Sequence, residues 1–299
     1  MRIFGLNEWK DFFQRLYTKA DATDIFNRAA QVAFYFSFAF FPLLLFLVTL
    51  AGLVLGTTEG LKNDLYSYLF RIMPASAFEL VHKTLDEIID SSSGGKLTIG
   101  IFVTLWSASA GVDTLRSSLN AVYELRETRS WWNTKLQSLL LTLLFIALLA
   151  LALILVSSGL NSIEYLLGSI GFDAASSPSS SVIHWAALLV VLLFATEVIY
   201  SWLPCHEKFH WFWLTPGSLV AMFLWILFSG GFRIYLQYFN TYNRAYGSLG
   251  AVIILMLWMF LTGLSILLGG AINSVLKEMA NEAGREAVTP AEEDVRVEV

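Results

Sequence analysis

The sequence predicts an all-α fold, namely a polytopic membrane helix bundle of six transmembrane helices with additional amphipathic interfacial helices. Composition is the first reason, because 56% of the 299 residues are hydrophobic and only 14% are charged. A soluble domain carries about 25% charged residues, since its surface must stay hydrated. The mean hydropathy of +0.63 and several long uncharged segments point the same way. Lipid is therefore the predicted surrounding of most of the chain.

The six predicted spans are segments with few or no charges, because a helix needs roughly 20 apolar residues to cross the hydrocarbon core. They cover residues 32–55, 97–119, 136–159, 182–203, 213–235 and 250–276. The second is the weakest, since only residues 97–112 are free of charge. The fourth contains Glu197, and the fifth carries Arg233 near its end. We expect residues 1–276 to form a single membrane domain.

The distribution of basic residues predicts the orientation. Most of the 19 Lys and Arg residues lie before the first span, between the second and third spans, and after the sixth. Loops rich in Lys and Arg remain in the cytoplasm. Both termini are therefore predicted to be cytoplasmic, which an even number of spans requires.

The sequence also predicts the structure of three segments that lie outside the spans. Residues 1–31 interleave basic and aromatic side chains, which favours an amphipathic helix on the cytoplasmic membrane surface over a soluble lead-in. Residues 57–96 show helical periodicity but are too polar to span, so exoplasmic or interfacial helices are expected there. Residues 277–299 form an acidic tail that is predicted to be disordered.

Charge and cysteine content exclude other classes of protein. The net charge is −5 and the sequence pI is about 5.4, whereas nucleic-acid-binding proteins carry a basic face. We expect no nucleic-acid partner. The single cysteine, Cys205, excludes an intrachain disulfide.

One motif suggests metal chemistry. His206-Glu207-Lys208-Phe209-His210 matches the His-Glu-x-x-His pattern, in which two histidines on one helix face bind zinc and the glutamate activates water. Here the motif follows Pro204 in a short turn between two spans, and no third ligand stands out. A polar interfacial loop with aromatic anchors is the favoured interpretation, and no metal or other cofactor is predicted.

Three groups of residues resemble the YihY/BrkB family of bacterial inner-membrane proteins. The first is the segment 30–43, which begins Ala30-Gln31-Val32-Ala33-Phe34-Tyr35 and contains Pro42. The second is 105–111, running on to 119–123. The third comprises Leu203-Pro204, Pro216-Gly217, the segment 246–253, Leu257-Trp258 and the segment 268–273. The resemblance follows nearly the whole chain in order, and it implies the fold and the bacterial inner membrane.

The resemblance implies less about function. Members of that family have carried a virulence or serum-resistance label and an older ribonuclease label, and it brings no agreed substrate or catalytic residues. The loop after Pro204 is usually basic in the family, whereas here it reads Cys205-His206-Glu207-Lys208-Phe209-His210. A ribonuclease is not favoured by the residues, because His82 and His184 fall on the side opposite to His206 and His210.

Six polar residues are candidates for a polar cavity or pathway, because ionisable groups inside a bilayer are expensive to bury. They are Gln31, Asp113, Arg116, Asn120, Glu197 and Asn273. All are predicted near one level of the cytoplasmic half, where Glu197 could pair with Arg116 or Arg28. The alternative is structural: Asp113 and Arg116 pair locally, Glu197 reaches the interface, and Asn273 bonds between helices.

The predicted function is that of a transporter or permease-like protein for a small or amphiphilic solute. Six spans, polar residues at cavity depth and the lack of a catalytic set favour it. A non-transporting envelope or virulence scaffold is the first alternative, with residues 57–96 as its docking face. A membrane metallohydrolase that uses the His206 region is a remote third.

Overall fold

A computed structural model describes residues 6–55, 94–169, 179–206, 214–238 and 248–297. These residues form helices and short connections and contain no strand, which confirms the predicted all-α fold. The described helices are α1 (Leu6–Ala22), α2 (Ile25–Leu55), α3 (Gly94–Val122), α4 (Trp131–Ser169), α5 (Ser179–Trp202), α6 (Pro216–Tyr238) and α7 (Ser248–Val297). The interfacial helices predicted for residues 57–96 lie almost wholly outside the described residues.

Four helical segments within the described residues are long and apolar enough to cross a membrane. They are Trp131–Ala152, Trp185–Trp202, Pro216–Leu236 and Val252–Ala283, with mean hydropathies of 1.8 to 2.4. They overlap the third to sixth predicted spans, with ends that differ by up to seven residues, and lie in α4 to α7. The first two predicted spans fall in α2 and α3, helices of 31 and 29 residues. Six spans remain a prediction.

Helices α2 to α7 pack in chain order. Each contacts the next, and α7 returns to contact α2, so that the six helices close into a ring. Helices α2 to α7 all contribute buried side chains to the main core, including Val32, Leu119, Leu141, Val198, Ala221 and Leu267. On the outer faces, large apolar side chains such as Phe38, Trp185 and Phe223 are exposed. Exposed apolar faces on apolar helices fit contact with lipid.

Helix α1 ends earlier in the chain than the amphipathic helix predicted for residues 1–31. It ends at Ala22, where the Thr23 N–H and hydroxyl both donate to the Lys19 carbonyl oxygen. Asp24 follows with a positive φ of 53°, a conformation that a short polar residue tolerates. Residues 25–31 therefore belong to α2. Phe12 on one face of α1 packs against Ile272 and Val275 of α7.

Helix α7 continues beyond Leu276 to Val297, where the sequence predicted a disordered tail. The residues after Leu276 include strong helix formers such as Lys277, Glu278, Met279 and Ala280. Two ion pairs also connect this segment to α1. Arg15 Nη1 lies 2.8 Å from Glu282 Oε1, and the Lys19 ammonium group pairs with the Glu278 carboxylate. The first part of the predicted tail is therefore a packed element.

Candidate functional site

Two polar clusters lie at the end of the bundle that carries α1, which we call the charged end. The Asp113 cluster joins α3 to α4 and contains Asp113, Arg116, Lys135 and Ser138. The Glu197 junction joins α5, α6 and α7 and contains Glu197, Thr215, Gly217 and Asn273. Five of the six predicted residues lie in these clusters or beside them.

The Asp113 cluster is a closed network of charges. Asp113 Oδ2 lies 2.9 Å from Lys135 Nζ, and Asp113 Oδ1 accepts a hydrogen bond from the Ser138 hydroxyl. Arg116 Nη1 lies 3.3 Å from Asp113 Oδ1 and donates to the Thr134 carbonyl oxygen at 3.0 Å. The local pairing of Asp113 with Arg116 is thus confirmed. Because each charge has an opposite partner, the cluster fastens α3 to α4.

Asn120 connects this network to the turn after α5. Its Nδ2 donates to Glu127 Oε2 at 3.1 Å, and its Oδ1 accepts from the Cys205 N–H at 2.8 Å. Arg129 donates to both oxygens of Glu127, at 2.7 and 2.9 Å. These hydrogen bonds hold the pKa of the Glu127 carboxyl at about 2, well below its ordinary value. Glu127 is therefore an anion that orders the connector between α3 and α4.

The Glu197 junction begins with the start of α6. Thr215 precedes the helix and Pro216 is its first residue, and the Thr215 Oγ1 accepts from the Ser218 N–H at 3.2 Å. This is a typical N-cap followed by proline. Glu197 Oε1 accepts from the Thr215 N–H at 2.6 Å and from its hydroxyl at 3.1 Å. The Glu197 carboxyl therefore lies at the positive end of the α6 dipole.

Glu197 is the most buried charged residue of the site. Its exposed fraction is 1%, and its Oε2 is buried without a hydrogen-bond partner among the described residues. The predicted pairing with Arg116 or Arg28 does not occur. Arg116 is held by Asp113 and Glu127, and Arg28 Nε donates to the Thr23 carbonyl oxygen at 2.7 Å. Both arginine side chains are therefore bound to other groups near the end of their own helix.

Asn273 fixes the crossing of α6 and α7. Its Oδ1 accepts from the Gly217 N–H at 2.8 Å, and its Nδ2 donates to Thr215 Oγ1 at 3.1 Å. A Cβ atom on Gly217 would overlap the Gly269 carbonyl oxygen, so this approach requires glycine. Close backbone contact through small residues is a common way to pack membrane helices. Asn273 therefore bonds between helices, in the structural role that the sequence left open.

Gln31 differs from the other predicted residues, because it lies on an exposed face of α2. The sequence did not identify three further residues of the clusters as candidates, namely Thr215, Lys135 and Glu127. Thr215 directly before Pro216 is a sequence signal for a helix N-terminus, and that signal could have identified it. Lys135 and Glu127 carry no comparable signal, since only the fold brings them to Asp113 and Asn120.

A cavity of about 270 Å³ also lies at the charged end, between α1, the end of α3 and α7. It is lined by charged and polar side chains, among them Lys19, Glu124 and Glu278. None of the six predicted residues lines it. The Lys19 side chain is only 5% exposed. Its Nζ lies 3.2 Å from Glu124 Oε1 and also pairs with the Glu278 carboxylate.

Most of the His-Glu-x-x-His motif, residues 207–210, lies outside the described residues. His206 is described: its Nε2 lies 3.3 Å from the Tyr200 carbonyl oxygen, and its ring contacts the Tyr123 ring edge-on at 5.2 Å. Within the described part of the chain, no group of three His, Cys, Asp or Glu side chains is placed to hold a metal ion.

Several relatives of the chain are named as membrane proteins. The chain is 31% identical over 265 residues to the ribonuclease-like protein YfkH of Bacillus subtilis, covering 89% of this chain and 94% of that one. It is 26% identical to a UPF0761 membrane protein of Idiomarina loihiensis, covering 74% of this chain and 75% of the relative. A UPF0761 membrane protein of Xanthomonas oryzae is 24% identical, and the match covers 91% of this chain but 64% of that longer protein.

No solved structure matches the chain. The sequence model of the family described as Virulence factor BrkB matches residues 16–294, a range that contains both polar clusters. The match spans far more than half of the chain and agrees with the resemblance of the three groups of residues. This chain is therefore a membrane protein of the Virulence factor BrkB family.

Proposed function

We propose that the protein is a transporter or permease-like protein for a small or amphiphilic solute, with Glu197 on its pathway. The supporting observation is a carboxyl group that is 1% exposed inside the membrane-length segment Trp185–Trp202. An ionisable side chain at such a position is costly, and it is by default a candidate for a solute or ion path.

A purely structural role for Glu197 accounts for only half of the carboxyl group. Capping of α6 explains Oε1, which accepts two hydrogen bonds from Thr215. A neutral glutamine or serine could accept the same bonds without the cost of a buried charge. Oε2 has no partner among the described residues, and a structural cap gives it no role. A carboxyl group that binds and releases a ligand would give Oε2 a role.

The proposal includes the membrane and the orientation. We place the protein in the bacterial inner membrane with the charged end and both termini in the cytoplasm. The ion pairs of Arg15, Lys19, Arg116, Arg129 and Lys135 all lie at the charged end. Basic residues gather on the cytoplasmic side of membrane proteins. Glu197 and Asn273 would then lie in the inner half of the bilayer.

Solute flux in proteoliposomes tests the proposal. Vesicles with wild-type protein, with a Glu197→Gln variant, and without protein are loaded with the small-molecule fraction of a bacterial extract. Mass spectrometry then follows the compounds that leave. We expect at least one compound to leave faster from wild-type vesicles, and Glu197→Gln to abolish that difference at equal protein content.

Equal loss from all three kinds of vesicle would contradict transport. It would favour the second candidate, a non-transporting envelope scaffold, whose predicted docking face at residues 57–96 lies almost wholly outside the described residues. The proposal assigns no catalysis to this chain, and the ribonuclease-like name of the Bacillus subtilis relative is not carried over to it.

A further inference from the structure

Helix α1 presents a row of aromatic rings on the side that does not pack against the bundle. Phe12 packs against α7. Trp9, Phe13 and Tyr17 instead have exposed fractions of 48%, 58% and 75%. Residues four apart lie one above the other on a helix, and the Trp9 and Phe13 rings are stacked. These three side chains therefore form one continuous surface, which we call the aromatic stripe.

The polar side of α1 lies elsewhere on its circumference. Arg15 and Lys19 form ion pairs with carboxylates of α7. Gln14 and Thr18 are exposed and line the polar cavity of about 270 Å³. Separate charged and aromatic faces are typical of a helix that lies in the plane of a membrane surface.

The contacts of Phe12 fix the depth of the aromatic stripe. Phe12 belongs to a buried cluster with Ile272 of α7, and Val220 of α6 packs against that cluster. Val220 lies only one turn after the start of α6, and both partners belong to segments long enough to cross a membrane. The rings of Trp9 and Phe13 lie 6.0 and 5.4 Å from the Phe12 ring. The stripe therefore lies at the level where α6 begins.

Exposed tryptophans mark the same end of the bundle on other helices. Trp131 is the first residue of α4 and Trp202 is the last of α5, and both side chains are exposed. Gln137 of α4 donates a hydrogen bond to the Trp202 carbonyl oxygen, which joins these two helix ends. Tryptophan and tyrosine gather at membrane–water interfaces. The sequence of α7 has no aromatic residue after Phe260, so α1 supplies the aromatic side chains at the charged end of α7.

We propose that α1 is a membrane anchor whose aromatic stripe inserts among the phospholipids of the leaflet at the charged end. Phospholipid is the occupant because the stripe lies at interfacial depth and continues the apolar outer surface of the ring, where Phe38 and Phe223 are exposed. The indole N–H and phenol O–H of the stripe suit the boundary between headgroups and acyl chains. The surface helix expected for residues 1–31 is thus narrowed to one stripe.

The anchor has a consequence for the Glu197 junction. Phe12 packs against Ile272, and the next residue of α7, Asn273, bonds to the Gly217 N–H. Lipid contact of α1 therefore holds the α6–α7 crossing at a fixed depth in the bilayer. This role of α1 goes beyond the proposed function and does not depend on transport.

Photochemical cross-linking of the full chain in lipid vesicles tests the proposal. The photoreactive amino acid p-benzoylphenylalanine, which forms a bond to C–H groups that it touches, replaces Phe13 or Tyr17. The vesicles contain phosphatidylethanolamine and phosphatidylglycerol, and mass spectrometry measures the lipid adducts after irradiation. The same replacement of Phe223, on the outer face of α6, is the positive control. We expect Phe13 and Tyr17 to give lipid adducts in a yield similar to that of Phe223.

Matched controls lie one residue further along α1. The photoreactive residue at Gln14 or Thr18 is equally exposed to water but faces the polar cavity, so lipid adducts there should be several-fold fewer. Two independent pairs, 13 with 14 and 17 with 18, keep the comparison valid if one variant fails to fold. Equal yields within both pairs would overturn the proposal. Cross-links from Phe13 and Tyr17 to a second copy of the chain, without lipid adducts, would replace lipid by protein as the partner.

Discussion

The backbones of Gly217 in α6 and Gly269 in α7 are in direct contact, so that a Cβ atom on either residue would overlap the carbonyl oxygen of the other. The contact sets the crossing of the two helices. One turn beyond Gly269, Asn273 reaches the Gly217 N–H, and Thr215 at the start of α6 reaches Glu197. The position of the buried carboxyl therefore depends on two residues without side chains.

Substitution of either glycine should destabilise the protein. Gly269→Ala forces the helices apart or bends them, which should cost about 1–3 kcal/mol. Gly230→Ala is the matched control, since a Cβ there would meet nothing within 4 Å, and alanine has the higher helix propensity. Thermal unfolding in detergent should show a lower Tm for Gly269→Ala and no loss for Gly230→Ala. Equal Tm values for both variants would contradict the close packing.

Asn273→Ala should weaken the same crossing through hydrogen bonds. The substitution leaves the Gly217 N–H without the acceptor that now lies 2.8 Å away. An unsatisfied buried donor costs about 1–3 kcal/mol. The control is Asn281→Ala, two turns along α7 at an exposed position, which should change stability by less than about 0.5 kcal/mol. The assignment of Asn273 is wrong if the two variants unfold at the same temperature.

The segment of α7 after Leu276 should stabilise α1. A chain that ends after Leu276 loses Glu278 and Glu282, which pair with Lys19 and Arg15. A chain that ends after Ala283 keeps both pairs. Limited proteolysis of the two truncated proteins in detergent should cut α1 much faster in the shorter one. Equal rates of cleavage in both would show that the ion pairs do not hold α1 against the bundle.

Glu127 should make stability depend on pH in the acid range. Hydrogen bonds from Arg129 lower the pKa of its carboxyl from an ordinary value of 4.5 to about 2 in the folded protein. A carboxyl with a depressed folded pKa stabilises the fold above its unfolded pKa, and that contribution disappears as the pH falls from about 4.5 to about 2. In this range, the Tm of Glu127→Gln should decline less steeply with falling pH than that of wild type. Parallel curves for the two proteins would refute the role of Glu127.

Much of the helical fold could be predicted from the sequence, because span-length apolar segments follow from composition alone. The local pair of Asp113 and Arg116 was predictable for a similar reason, since residues three apart share one helix face. The start of α6 could have been read from Thr215 and Pro216. These features depend only on neighbours along the chain.

The partner of Glu197 could not be predicted in the same way. Opposite charge suggested Arg116 or Arg28, but each of these is held at its own helix end by nearer groups. The actual partner is the backbone N–H of Thr215, directly before α6, whose approach depends on the contact of Gly217 with Gly269. A neutral backbone donor leaves no mark in the charge pattern of a sequence.

A density map of the lipid-embedded protein, at a resolution that shows side chains, tests the central claim most directly. The account predicts that Glu197 lies in the interior of the bundle, where one carboxyl oxygen contacts the Thr215 N–H and the other faces away from Thr215. A map in which the Glu197 side chain points outward to the lipid, with Thr215 and Gly217 out of its reach, would contradict it.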